Sequence, residues 1–184
     1  MYKLWLHDSF VINQVNKIES VSLQNSKGGK RMMELQENAL KVIVFQLKDE
    51  EYAIPVQQVR SIEKVQHITR VPRTPHYVKG VINLRGVVTP IIDLRARFDI
   101  ESIPNTENTR VIIVADEQIE VGLIVDAAND VIDIPIDRIE PTPEVVDTVT
   151  AEYINGVAKI GKRLLILLNL EKVLNAQELT SKSV

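Results

Sequence analysis

The chain has 184 residues, 45% of them hydrophobic and 26% charged, which fits one globular domain or two small ones. Its longest apolar runs, Val111–Ala115 and Leu164–Leu168, are five residues each, whereas a membrane-spanning helix needs about 20. It has no cysteine, which excludes disulfides, thiolate metal sites and a thiol nucleophile and fits a reducing cytosol.

The net charge of −3 hides an asymmetry. Arg60 to Arg97 holds eight basic and two acidic residues, and Phe98 to Glu152 holds two basic and fourteen acidic. Solvated strand faces and two partner-steering surfaces of opposite sign are both compatible with this pattern. Nucleic acid is not an expected partner, because the basic segment lacks interleaved aromatics and the acidic half would repel phosphates.

Residues 1–38 show no sustained periodicity. Lys27-Gly28-Gly29-Lys30 is not a phosphate loop, since the upstream Gly and the Lys-Ser/Thr ending are missing. The segment also lacks the layout of a secretory signal. The run Lys27 to Arg31 can be encoded as AAA-GGA-GGA-AAA-CGN, which contains a bacterial ribosome-binding sequence just before Met32 and Met33. A start assigned too far upstream is therefore expected in preference to a disordered tail.

From Leu40 to about Gln177, short Val- and Ile-rich runs alternate with turn signals, the pattern of many short strands. Val42–Leu47 and Glu51–Val56 flank Lys48-Asp49-Glu50 as a hairpin, and Val111–Ala115 and Ile119–Val125 flank Asp116-Glu117-Gln118 in the same way. Val78–Leu84 and Val87–Asp93 meet at Arg85-Gly86, and Ile154–Ile160 and Leu164–Leu170 meet at Gly161-Lys162. One helical turn is expected at Leu94–Phe98. A C-terminal helix capped by Asn169 is expected from Leu170 toward Leu179.

The four hairpins form two matching pairs. Val42–Ile62 aligns with Val111–Val131 at an offset of 69, and Val78–Phe98 aligns with Ile154–Leu174 at an offset of 76. The order is the same in both, which predicts a duplicated unit of about 70 residues. Each unit holds about five short strands, and closing them into a small barrel removes exposed edges. The predicted fold is mainly β: two packed barrels with short helices and a C-terminal helix.

No catalytic constellation emerges. His7, His67 and His76 lack metal-ligand spacing. Asp126, Asp130, Asp133 and Asp137 lie along a strand-like run and read as exposed polar positions. No nucleophile elbow or dinucleotide fingerprint is present. Neither a metal nor a cofactor is expected, and a binding or adaptor protein is favoured over an enzyme.

The run Tyr77-Val78-Lys79-Gly80-Val81-Ile82-Asn83-Leu84-Arg85-Gly86-Val87-Val88-Thr89-Pro90-Ile91-Ile92-Asp93-Leu94 resembles the signature of the CheW-like domain family of bacterial chemotaxis coupling proteins. Agreement extends to Val42–Val56, to Val121–Asp126, to Tyr153-Ile154-Asn155-Gly156 and to Leu164–Leu174. The resemblance covers essentially the whole globular region and places the domain at 39–178, with an extension at 1–38 and a tail at 179–184. It implies two SH3-like barrels, each of about five strands, packed around a hydrophobic interface.

The resemblance further implies a non-enzymatic adaptor without a cofactor. Such an adaptor couples the cytoplasmic tips of methyl-accepting chemotaxis receptors to the regulatory domain of the histidine kinase CheA. It is a monomer alone and joins rings in arrays at the inner face of the membrane, without inserting into the bilayer. By the same resemblance, Arg85, Gly86, Val87, Val59 and Ile62 are receptor-binding candidates, with Ile43 and Phe45 at the kinase contact. Gly80 and Gly156 are expected to be structural. A relative serving another receptor–kinase pathway has the same fold and logic and differs only in its partners.

Overall fold

The computed structural model describes residues 39–115, 119–142 and 152–174. The expected extension at 1–38, the turn at 116–118, the course of the last helix beyond Leu174 and the tail at 179–184 lie outside the described residues. The strands in chain order are β1 Ala39–Leu47, β2 Glu50–Pro55, β3 Val59–Lys64, β4 Val78–Leu84 and β5 Val87–Asp93. They continue with β6 Arg110–Ala115, β7 Glu120–Val125, β8 Ala127–Pro135, β9 Ile139–Glu140, β10 Ile154–Ile160 and β11 Arg163–Leu168. One-turn helices α1 Leu94–Arg97 and α2 Leu170–Val173 follow β5 and β11. Each is capped by the side chain before it: Asp93 accepts from the amides of Arg95 and Ala96, and Asn169 from that of Lys172.

The expected hairpins form. Leu47 pairs with Glu50, so the first loop is Lys48-Asp49 alone and Glu50 already belongs to the strand. The duplication is visible in the pairing itself. Ile43 opposes Val131, Val44 opposes Asp130 and Phe45 opposes Ala128. At the equivalent positions Ile112 opposes Ile62, Ile113 opposes Ser61 and Val114 opposes Val59. The register shift falls at the same place in both ladders. A second shared shift lies between Val78 and Gly80 and between Ile154 and Gly156. The Asp93 amide bonds the Tyr77 carbonyl at 2.9 Å, and its counterpart from Asn169 reaches Tyr153 at 2.8 Å.

The assignment of strands to sheets differs from one barrel per repeat. One sheet runs β8-β1-β2-β11-β10-β9 and the other β3-β6-β7-β5-β4. Each therefore takes the first hairpin of one repeat and the remaining strands of the other. The joints are the parallel pairs β2–β11 and β5–β7. The chain crosses between sheets at two short links. One is the 3-10 turn Val56–Gln58 after Pro55, and the other is the single residue Asp126 between β7 and β8. Proline ends the β2 ladder because it has no amide to donate.

Exchange follows from two-faced burial. In β1, Ile43, Phe45 and Leu47 belong to the large core between the sheets, while Val42 and Val44 belong to a smaller core on the opposite face. A strand apolar on both faces must sit inside a sheet with both sides covered. In the second sheet Ile112 and Val114 face the large core, and Val111 and Ile113 face the other small core. Three apolar layers result.

Neither sheet closes through a continuous ladder, but in each the chain leaving one edge strand pairs with the opposite edge. After β3, Thr69 bridges to Val81 of β4 with two bonds of 2.9 Å. After β8, β9 pairs with β10. The two repeats thus have equivalent seams, and Gly80 and Gly156 lie at them. A Cβ on Gly80 would strike the Thr69 carbonyl, and one on Gly156 would lie 2.6 Å from the Glu140 carbonyl oxygen.

Candidate functional site

The β4–β5 turn presents the family-signature arginine. Leu84 pairs with Val87, so the loop is Arg85-Gly86 alone. Both residues have positive φ, 52° and 91°, the geometry of a type I′ turn, where Asn, Asp and Gly are the favoured occupants. Arginine is not, and a left-handed backbone costs a residue with a Cβ about 1–2 kcal/mol. The turn is braced by Asn83, whose side-chain oxygen accepts the Gly86 amide at 2.8 Å.

The Arg85 side chain is 81% exposed, and its Nη2 lies 3.6 Å from Glu63 of β3. Val87 and Val88 beside it are 54% and 66% exposed. A cation next to two exposed apolar side chains, on a tip held by a two-residue turn, can receive a partner with an apolar face and a carboxylate. The equivalent β10–β11 tip has different chemistry. Its Arg163 binds Glu51 through two bonds, 2.9 and 2.8 Å, and Asp130 at 3.3 Å. These bonds hold the Arg163 guanidinium above its ordinary pKa. At the position matching Arg163 in the first repeat stands Val87.

The other candidates lie inside the protein. Val59 and Ile62 are 6% and 7% exposed, and Ile43 and Phe45 are fully buried, all four in the large core. As placed, their side chains offer no surface to a partner, because the alternation that defines their strands turns them toward the opposite sheet. Arg85, Gly86 and Val87 are brought together at the surface.

Sequence reasoning did not single out Asn83, Glu63, Val88 or the Arg95–Asp126 pair. Arg95 is buried. It donates to both Asp126 oxygens at 2.7 and 2.5 Å and to the Glu101 carbonyl at 2.9 Å. The bonds to Asp126 raise the Arg95 pKa against the opposing effect of burial. Asp126 also accepts the Lys48 amide at 2.6 Å, and its own amide bonds Gln46 at 3.0 Å. The crossover residue is thereby tied to α1 and to the first hairpin turn. The reading of the acidic run as exposed polar positions holds for Asp133 and Asp137 but not for Asp126, which is partly buried against Arg95; nothing local points from Arg95 to it.

Of the basic segment, Arg60, Lys64, Arg70 and Arg73 are exposed, while Lys79 pairs with Asp93 at 3.0 Å. His67 and His76 are exposed, and His76 Nε2 lies 3.0 Å from the Ala96 carbonyl oxygen. Among the described residues no group of three or more His, Asp or Glu side chains could hold a metal ion. No described helix is long and apolar enough to cross a membrane.

The sequence model of the CheW-like domain matches residues 41–178. The chain belongs to the CheW-like domain family. It is 50% identical over 137 residues to the chemotaxis protein CheW of Bacillus subtilis, covering 74% of this chain and 88% of the relative. Its identity to the chemotaxis protein CheW of Klebsiella aerogenes is 41% over 137 residues, covering 74% and 82%. Among solved structures it is similar to the scaffolding protein TtCheW from Thermoanaerobacter tengcongensis. That match has a TM-score of 0.70 at 36% identity and covers 76% of this chain and 95% of the other.

Proposed function

We propose that the protein is a non-enzymatic adaptor that couples the cytoplasmic tips of chemotaxis receptors to the histidine kinase CheA. Membership of the CheW-like family supports the adaptor role. The observation that carries the coupling assignment is the Arg85 turn: an exposed cation held in a disfavoured backbone conformation beside exposed Val87 and Val88. Lys48, Arg73 and Asp99 share the left-handed backbone, so what sets Arg85 apart is its place in the family signature beside exposed Val87 and Val88. Arg85, Gly86 and Val87 form the receptor-facing surface. The kinase contact falls on exposed apolar side chains, of which Ile103, Ile136 and Leu164 lie outside this turn. A scaffold with two separate surfaces fixes the geometry between receptor and kinase. Ligand-dependent receptor states then act by contacting the adaptor differently, since equal contacts shift no equilibrium.

The test is phosphoryl transfer by the cognate kinase, with receptor fragments, with and without this protein. Stimulation that needs all three components is expected. Arg85→Glu should remove it with the fold intact. Arg85→Gly should also remove it while leaving stability unchanged or raised by up to about 1 kcal/mol, because glycine relieves the left-handed backbone but adds unfolded-state entropy. Full stimulation by both variants overturns the role of Arg85. No stimulation by the wild-type protein, with the other components active, overturns the coupling role in this pathway and redirects the search to another receptor–kinase pair.

A further inference from the structure

The two hairpin tips are built alike but charged differently. In the parallel pair β2–β11, Glu51 opposes Leu165. Arg163 lies two residues before Leu165, on the same face of the strand, and reaches both Glu51 oxygens at 2.9 and 2.8 Å. The pair β5–β7 keeps this register, since Ile91 opposes Gly122 where Leu167 opposes Ala53. By the two repeat offsets, Thr89 stands for Leu165, Val87 for Arg163 and Glu120 for Glu51. The carboxylate is kept, but in place of the arginine that fills it stands Val87, shorter and 54% exposed. Thr89 is fully buried where the other repeat has Leu165, and its hydroxyl donates to Glu120 Oε1 at 3.0 Å. That bond holds the half-buried carboxylate by one oxygen. Among the described residues Glu120 has no ion pair, and the nearby Arg85 lies toward Glu63 instead.

We propose that Glu120, with Val87 beside it, is a seat for an arginine side chain of the receptor tip. The incoming guanidinium takes the Glu120 carboxylate as Arg163 takes that of Glu51, and its carbon stem lies on Val87. Arginine fits better than lysine, because a planar fork matches a carboxylate edge and an ammonium does not. In the other tip Asp130 adds a second carboxylate to Arg163, at 3.3 Å. Its counterpart in the strand pairing is Ser61. The seat at Glu120 therefore has one carboxylate, which suits a partner that must also leave. The proposal rests on the receptor-facing reading of this turn and deepens it: the receptor brings an arginine as well as a carboxylate. Charges of both signs beside one apolar contact fix the orientation in which it docks.

The experiment measures binding of the full-length protein to a cognate receptor cytoplasmic fragment by calorimetry, with a melting curve for every variant. Glu120→Gln keeps an acceptor for the Thr89 hydroxyl and should melt as wild type. It should weaken receptor binding about threefold to tenfold, between the values for an exposed ion pair and a buried charge-assisted bond. Val87→Arg supplies the guanidinium from within the chain. It should weaken receptor binding by filling the seat. It should also melt about 1–3 °C above the same substitution combined with Glu120→Gln, and Val87→Lys should show a smaller difference. Wild-type or tighter receptor binding by Glu120→Gln overturns the proposal. A Val87→Arg melting temperature indifferent to the change at Glu120 overturns it too. Arg85→Glu, titrated alongside, separates the seat from the reading it rests on. Lost binding for Arg85→Glu with full binding by Glu120→Gln sinks the seat alone. Weakened binding for Glu120→Gln with none for Arg85→Glu supports the seat and sinks the role of Arg85. Full binding by both variants, or no binding by the wild-type protein, sinks the receptor-facing reading and the seat together.

Discussion

A methyl group placed on Gly80 would enter the seam where the chain after β3 pairs with β4. Its Cβ would strike the Thr69 carbonyl oxygen, with the Thr69 carbonyl carbon at 2.8 Å and Ile68 Cγ2 at 2.9 Å. Backbone cannot yield as a side-chain tip can, so the Thr69–Val81 bridge must open. Two bonds of 2.9 Å are at risk, at about 0.5–1.5 kcal/mol each. The backbone φ of 143° adds strain for alanine, about 1–3 kcal/mol. Gly80→Ala should therefore cost about 2–6 kcal/mol, or a melting temperature lower by roughly 6–18 °C at about 3 °C per kcal/mol. Gly122→Ala is the control. Its Cβ would meet the tips of Ile91 and Val111 at 2.5 and 2.7 Å, and side-chain tips can shift. The position equivalent to Gly122 in the other repeat is Ala53, which is fully buried and carries the methyl group. A cost of about 1–2 kcal/mol is expected there. Urea denaturation followed by circular dichroism measures both. A Gly80→Ala protein as stable as wild type, or no less stable than Gly122→Ala, would refute the seam argument.

Other consequences follow from the buried polar groups. Arg95→Ala strips Asp126 of its guanidinium partner and should cost about 3 kcal/mol, as for one half of a buried ion pair; denaturation that matches wild type would show the pair to be dispensable. The Tyr52 phenol is pushed well above its ordinary pKa, chiefly by burial and further by its bond to Glu50 at 2.9 Å. The unfolded chain therefore loses this proton first. The stability contributed by Tyr52 is complete below about pH 10 and declines as pH rises above that value. Tyr52→Phe should flatten that alkaline decline, and identical alkaline profiles for the two proteins would contradict the assignment.

Much of the architecture was written locally. Alternating Val and Ile, the Arg85-Gly86 and Gly161-Lys162 turns and the cap Asn169 are short-range signals, and the two offsets carried the duplication. The seam glycines stood out at matching positions, and Arg85 stood out in the family signature. What the chain did not reveal was which hairpin joins which sheet. That choice depends on the parallel pairs β2–β11 and β5–β7, whose partners lie far apart in sequence and have no turn between them to signal the pairing. It also depends on burial. Val59, Ile62, Ile43 and Phe45 look like any alternating apolar residues, and only the packing of one sheet on the other shows that they face the shared core. Glu63 and Asn83 were unremarkable for a related reason. A carboxylate comes near Arg85 only once two sheet edges are brought together, and an asparagine meets the Gly86 amide only once the turn beside it closes. Local chemistry specified the strands and turns, and the requirement to cover both faces of the central strands decided how they were combined.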